Sequence, residues 1–288
     1  MGEPTRLTSP DRVVFEGAGY TKQDVVEYYR AVADWMLPEL ARRPLSLVRC
    51  PDGAAGQCFF QKHYAESLGD DVRSIDLMQK SGVEPYLYVD DIEGVTDLVQ
   101  MNALEFHPWG SRIEDPERPD RLVFDLDPGE GTGWPDVLRG ARDVRDRLRK
   151  LGLENFVRLS GGKGVHVVVP IAPGPSWDDA RAFSDAFANH MAVQAPARYV
   201  ATMSKAKRPG KIFIDWLRNA RGATSVASWS LRARQGGPVA VPIRWEELGR
   251  VDGPAAFDLR AARRRAARMR KDPWEGFETL AQTLPVIG

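Results

Sequence analysis

The sequence predicts an α/β protein built on a mixed sheet flanked by helices, and three observations predict it. Short apolar runs of β type alternate with longer segments of helical periodicity. Two of those runs, residues 156–159 and 165–169, are joined by only five residues, Ser160-Gly161-Gly162-Lys163-Gly164. A parallel crossover takes about a dozen residues or more, so this pair must be antiparallel and the sheet is not a doubly wound parallel one. Hydrophobic residues are 43% and charged residues 28% of a 288-residue chain, which is ordinary for a globular protein with a sizeable core.

The elements follow in order. Residues 21–36 put Val25, Val26, Tyr29, Val32 and Met36 at helical spacing, and Pro38 is expected to close that helix. Residues 45–49 and 58–61 read as short strands around a Gly-rich turn, and residues 85–89 as another strand. A short helix is expected over 95–101. Residues 122–127 form a strand ended by Pro128-Gly129, followed by a helix over 134–151 rich in Arg and Asp. Ser176 caps a helix running to residue 191, with Asp179 three positions on. A strand over 211–216 and a helix over 261–269 complete the set. There is no internal repeat and no low-complexity linker, so the chain is treated as one domain, 1–288.

Bulk properties exclude several classes. No apolar run reaches about 18 residues, so no membrane span is expected. The first residues lack a signal peptide's apolar stretch. Two cysteines, Cys50 and Cys58, lack CxxC spacing, which argues against a disulfide framework or zinc ribbon and for a reducing cytoplasm. The 40 basic and 40 acidic residues cancel, but the charge is clustered: residues 204–211 are basic, and residues 260–271 hold seven Lys or Arg and no acid.

The chemistry starts at Leu122-Val123-Phe124-Asp125-Leu126-Asp127-Pro128. In a strand, residues i and i+2 share a face, so Asp125 and Asp127 project together with Cα atoms roughly 6.5–7 Å apart. Unpaired, they repel and lose hydration; a shared divalent cation answers both. The plain alternative is a strand end with two solvated acids. Ile212-Phe213-Ile214-Asp215 is a second apolar run broken by one acid, and a third carboxylate suits a two-metal site for Mg²⁺ or Mn²⁺. The plain alternative for Asp215 is a salt bridge to Arg218. The Ser160–Gly164 hairpin, with Lys163 and His166, offers backbone N–H groups and cations to a phosphate chain, or is simply a glycine-rich turn. It is not a Walker loop, because the spacing differs and a strand follows.

Together, "FDLDP", "LSGGKGVHVVVP" and "SKAKRPGKIFIDWLRNARGAT" resemble the polymerase domain of bacterial LigD-type end-joining proteins, in the archaeo-eukaryotic primase superfamily. The resemblance runs from about residue 9 to about residue 270 and implies a primase-polymerase fold with a largely antiparallel central sheet. It divides the domain into a DNA-end and template-contacting part to about 105, a catalytic core over about 106–250 and a helical segment over about 251–288. It implies that Asp125, Asp127 and Asp215 are catalytic metal ligands. It further implies that His107, Ser160, Lys163, His166 and Arg232 hold the nucleotide. Phe59 and Phe60 would pack against the template base, although alternation along a strand leaves one of them free to be core. Ser9, Arg12 and Lys22 fall where the family recognises the downstream 5′-phosphate; Asn and Lys are usual where this chain has Ser9 and Arg12. Arg218 stands where Gln is common. The implied activity is a repair polymerase adding nucleotides, ribonucleotides by preference, to a primer 3′-hydroxyl at gaps or broken ends. Two Mn²⁺ or Mg²⁺ ions serve it, and Ku and a DNA ligase are expected partners. A D-x-D glycosyltransferase and a non-catalytic end-bridging module are the alternatives. The third acid and the hairpin disfavour the first, and the complete acid set disfavours the second.

Overall fold

A computed structural model describes residues 7–285. The chain divides into two compact units. The first comprises residues up to Glu114, Val226–Val241 and Phe257–Asp272; the second comprises Asp115–Ser225, Pro242–Ala256 and residues from Pro273 onward.

In the first unit, β1 (Val13–Phe15) and β2 (Tyr20–Thr21) pair and lead into α1 (Lys22–Leu40). A capping box starts α1: Thr21 Oγ accepts from the Asp24 amide at 3.2 Å, and the Asp24 carboxylate accepts from the Thr21 amide at 2.8 Å. Pro38 does not close the helix as expected. It lies inside the last turn, where it forfeits a single backbone bond, and buried Met36 and Leu40 carry the helix past it. Burial of side chains this size stabilises by roughly 1.5–3 kcal/mol each.

The chain continues through β3 (Leu45–Arg49), β4 (Phe59–Gln61), β5 (Val72–Gln79), β6 (Gly82–Val89), α2 (Ile92–Gln100) and β7 (Ala103–Pro108). β3 lies between β4 and β7, antiparallel to both, while β5 and β6 form a separate hairpin. The expectation against a disulfide is corrected here. The Arg49↔Phe59 register leaves Cys50 and Cys58 as the next facing pair, with Cα atoms 4.3 Å apart, and they are bonded.

The second unit contains β8 (Arg121–Pro128), α3 (Trp134–Lys150), β9 (Phe156–Leu159), β10 (Val165–Pro170), α4 (Trp177–Gln194), β11 (Tyr199–Val200), β12 (Ile212–Asp215) and all but the first residue of β13 (Val241–Ile243). Its sheet has the order β11-β12-β8-β10-β9-β13. β11 runs parallel to β12, whereas β12–β8, β8–β10 and β10–β9 are antiparallel, so the sheet is mixed as expected. The two faces of β8 have different fates. Leu122, Phe124 and Leu126 are fully buried on the face that carries α3 and α4; Phe124 packs on Phe187 of α4 at 4.9 Å between ring centroids. On the other face, Val123 and Val168 are covered by Trp274 and Phe277. Two and four residues further along that face come Asp125 and Asp127, so this end of the sheet carries the acids. The chain returns to the first unit as α5 (Leu259–Arg268), which packs against α1. Among the described residues no helix is long and apolar enough to cross a membrane.

Candidate active site

Strand register assembles the acidic centre. Asp125 of β8 faces Asp215 of β12 on one side and His166 of β10 on the other, and His166 in turn faces Arg158 of β9. Arg158, His166, Asp125 and Asp215 therefore form one row across four strands, and Asp127 joins them two residues along β8. Asp125, Asp127 and Asp215 each present a carboxylate oxygen, all within 4.8 Å of one another. Asp125 and Asp215 are buried and Asp127 partly so.

Three carboxylates this close raise one another's proton affinity. Burial, followed by the charges of Asp125 and Asp215, pushes the Asp127 carboxyl up to about 6. Burial also raises Asp215; the Arg218 guanidinium opposes that shift and Asp125 adds to it. Arg218 sits in the turn after β12, with Nε 3.2 Å from Asp215 Oδ2 and Nη2 3.7 Å from Asp125 Oδ2. The salt bridge weighed as an alternative for Asp215 thus exists alongside the convergence of the acids. Hard oxygen donors with deficient counter-charge fit a divalent ion such as Mg²⁺ or Mn²⁺.

His166 is oriented from behind. Arg158 Nη2 lies 3.1 Å from His166 Nδ1, and a guanidinium only donates, so Nδ1 accepts and Nε2 carries the hydrogen. Nε2 then faces Asp125 Oδ1 at 3.4 Å. Burial, with Arg158 and Arg218 nearby, lowers the His166 pKa against the opposing pull of Asp125. Arg158 went unnoticed in the sequence; the only signal is an Arg opposite a His across a five-residue hairpin.

The glycine loop is held against β8. A Cβ on Gly164 would lie 1.8 Å from the Leu126 carbonyl oxygen, so only glycine permits this approach. The Ser160 hydroxyl donates to the Gly164 carbonyl at 2.7 Å and accepts from the Gly162 and Gly164 amides at 3.1 and 3.3 Å. Ser160 therefore shapes the loop with its own hydroxyl, while Lys163 at the tip is exposed.

The remaining expected site residues lie in the first unit. His107 and Glu105, two apart on β7, share a face, with His107 Nε2 2.8 Å from Glu105 Oε2. Glu105 also accepts from Arg232 Nε at 2.9 Å and the Ala233 amide at 2.7 Å. Burial pushes the Glu105 carboxyl upward, but His107, Arg232 and the Ala233 amide together outweigh it and hold the group at about 2. Glu105 is thus the residue joining His107 to Arg232. Sequence reasoning missed it, although an acid two positions before a strand histidine was visible.

Neither aromatic of β4 is core: Phe59 is 44% and Phe60 66% exposed. Phe60 lies 5.4 Å from the His107 ring, and Arg49 stands over Phe59. β4 is an edge strand on the far side of β3, which leaves both rings uncovered.

Ser9 is exposed with φ +50°, in the loop that wraps the start of α1. Lys22 is buried to 5%; its Nζ donates to the Thr8 carbonyl at 3.2 Å, and Arg12 donates to the Pro51 carbonyl. Burial first, and then the Arg12 charge, lowers the Lys22 pKa. Two cations are thus brought together at the N-terminus of α1.

Comparison with known proteins bears on the family and the fold. The family model for the LigD primase-polymerase domain matches residues 21–274. The multifunctional non-homologous end joining protein LigD of Pseudomonas aeruginosa is 38% identical over 280 residues, covering 97% of this chain and 33% of that protein. The Mycolicibacterium smegmatis LigD is 37% identical over 248 residues, covering 85% of this chain and 32% of its own length. The chain thus spans about a third of the length of these curated relatives. The polymerase domain of Mycobacterium tuberculosis ligase D, solved in complex with DNA, superposes with a TM-score of 0.88 at 35% identity, covering 96% of this chain and 99% of that one. A family model spanning most of the sequence, and a fold match over nearly all of it, show that the chain belongs to the LigD primase-polymerase domain family.

Proposed function

We propose that this chain is a DNA repair polymerase: a nucleotidyltransferase that adds nucleotides to a primer 3′-hydroxyl at gaps or double-strand-break ends. The observation that carries the reading is the convergence of Asp125, Asp127 and Asp215 within 4.8 Å on the end of the sheet that also bears His166. Those three carboxylates would hold the divalent ions, Mn²⁺ or Mg²⁺, which when bound supply charge stabilisation and an acidified hydroxyl for phosphoryl transfer.

The protein's own groups do the positioning. His166, held neutral and protonated at Nε2 by Arg158, presents a donor beside the acids. The loop ending at Gly164 brings the exposed Lys163 to the same end of β8, a cation that suits a triphosphate, while the Gly162 and Gly164 amides are held by the Ser160 hydroxyl. His107 and Arg232 are assigned to the nucleotide by family resemblance, with Glu105 fixing both. Phe59 and Phe60 are exposed, as a template-stacking role demands. Arg12 and Lys22 are proposed to take the 5′-phosphate of the downstream strand, with Ser9 in the adjoining loop.

The solved relative was captured with DNA, and the curated relatives are end-joining proteins, which supports DNA as substrate and Ku and a ligase as partners. A preference for ribonucleotides, cytoplasmic work at the nucleoid and operation of residues 1–288 as one catalytic domain belong to the same proposal. Primer extension on gapped DNA tests it, comparing NTP with dNTP in Mn²⁺ and in Mg²⁺. Extension should require a divalent ion and vanish in Asp125→Ala with DNA binding intact. Full activity in that variant would remove the acids from the chemistry.

A further inference from the structure

Two helices of this chain are rich in arginine, and they treat it differently. Along α3, Arg139, Arg145, Arg147 and Arg149 are answered by Asp136, Asp146, Asp143 and Glu154. Four of the six basic residues of that helix are thus paired, three of them to acids of the helix itself. Along α5 and its continuation, residues 260–271 carry seven Lys or Arg and no acid, in a chain whose total charge is zero. One face of α5, formed by Leu259, Ala262 and Ala266, is buried. Arg263 on its flank reaches Glu27 of α1 at 3.3 Å. The opposite face carries Arg264 and Arg268, one turn apart, both exposed and without an acidic partner among the described residues. With Arg265, Phe257, Ala261 and Met269 they line an open hollow that contains no carboxylate.

Like charges one turn apart destabilise a helix by a few tenths of a kcal/mol, so nothing in the fold calls for this arrangement. A polyanion does. At its other end, α5 places Arg260 over the Tyr20 ring at 5.1 Å, two residues before Lys22. The arginine helix therefore begins beside the Arg12–Lys22 cradle.

We infer that the outer face of α5 is a second nucleic-acid contact: Arg264 and Arg268 seat backbone phosphates of the duplex downstream of the gap, beyond the 5′-phosphate taken by Lys22 and Arg12. The occupant is argued from charge complementarity and from continuity with that cradle, and it rests on the repair-polymerase reading above. The contact is to phosphates alone and carries no base sequence preference.

The test pairs Arg264→Gln/Arg268→Gln with the native protein, Gln being about as good a helix former as Arg. Binding to fluorescent gapped DNA is measured by anisotropy against salt. Loss of two phosphate contacts lowers the slope of log affinity on log salt by about 1.8, so between about 50 and 200 mM salt the native protein loses about tenfold more affinity than the variant. The difference should persist when the downstream 5′-phosphate is removed and disappear when the downstream duplex arm is omitted. Far-UV circular dichroism and extension of an open primer-template should match the native protein.

An unchanged slope with normal extension sinks the α5 contact and spares the polymerase reading. Absent extension in both proteins sinks the polymerase reading, while the slope comparison still decides α5. Anionic phosphatidylserine vesicles serve as a control: native-only binding to vesicles, with identical DNA slopes, overturns the inference in favour of a membrane surface.

Discussion

Replacing Asp127 by Asn should make the metal-free protein more stable while abolishing its chemistry. In the folded chain the Asp127 carboxyl is raised from 3.8 to about 6, first by burial and then by Asp125 and Asp215. A carboxyl whose folded value exceeds its unfolded value holds its proton more tightly when folded. Its penalty on the folded state is absent below pH 3.8, grows through the interval and is complete above about 6. Roughly two units at about 1.4 kcal/mol each give about 3 kcal/mol at neutral pH. The proton uptake belongs to the acid cluster as a whole, so the titration should be broad. Asn preserves the shape and removes the charge. Urea unfolding in EDTA, repeated across pH, should show the variant more stable by about 3 kcal/mol at neutral pH and equal to the native protein near pH 4. Adding Mn²⁺ should reverse the order, because only the native protein gains the binding free energy. A variant less stable than native in EDTA, or a difference that ignores pH, would refute the view that carboxylate repulsion dominates this centre.

Three further outcomes are expected. Glu105→Gln should cost about 3 kcal/mol at neutral pH, since the native carboxyl is held at about 2 against an ordinary 4.5; that depressed value makes the advantage fade as pH falls from 4.5 towards 2, and thermal unfolding at several pH values checks it. Lys22→Ala should erase the difference in affinity between gapped DNA with and without a downstream 5′-phosphate, while an undiminished difference would take Lys22 out of the cradle. Arg218→Met should tighten Mn²⁺ binding several-fold by titration calorimetry, because the guanidinium that shares Asp125 and Asp215 competes with the ion; unchanged or weaker binding would point to a supporting role for Arg218 instead.

Local rules were readable where a single element decided them. The i, i+2 spacing placed Asp125 and Asp127 on one face, and the short Ser160–Gly164 link made β9 and β10 antiparallel. The Ser176 cap with Asp179 was equally plain. What escaped depended on partners remote in sequence. β7 contains the acid and histidine of the His107 cluster, but its alternation Leu-Glu-Phe-His is only four residues long before Pro108, and pairing with β3 completes the strand. Pro38 looked like a stop signal because local propensity favours that, but burial of Leu40 overrides it. Cys50 and Cys58 gave no disulfide signal by spacing; only the hairpin register brings them face to face. The exposure of both Phe59 and Phe60 likewise follows from β4 being an edge strand, which alternation alone does not reveal.

The order of side chains across the sheet explains how a buried acidic centre is compatible with folding at all. A lone pair of half-buried carboxylates would cost several kcal/mol in lost hydration. Here the row begins with Arg158, fully buried at β9, passes through a histidine kept neutral, and reaches Asp125 and Asp215 with Arg218 at the far side. Cations thus bracket the acids from both ends, with Arg208 also acting on them, but the guanidinium groups do not cancel three carboxylates at close range: burial and the neighbouring acids still push the Asp127 carboxyl up to about 6. The residual negative charge is what a divalent ion answers. If the bracketing were complete, the centre would be a structural ion-pair network with little affinity for metal. If it were absent, the proton affinity of the acids would rise further and protons would compete more strongly with the ion. The intermediate balance, fixed by which residues stand opposite one another on four strands, leaves a site stable enough to form and with the residual charge that could hold a divalent ion.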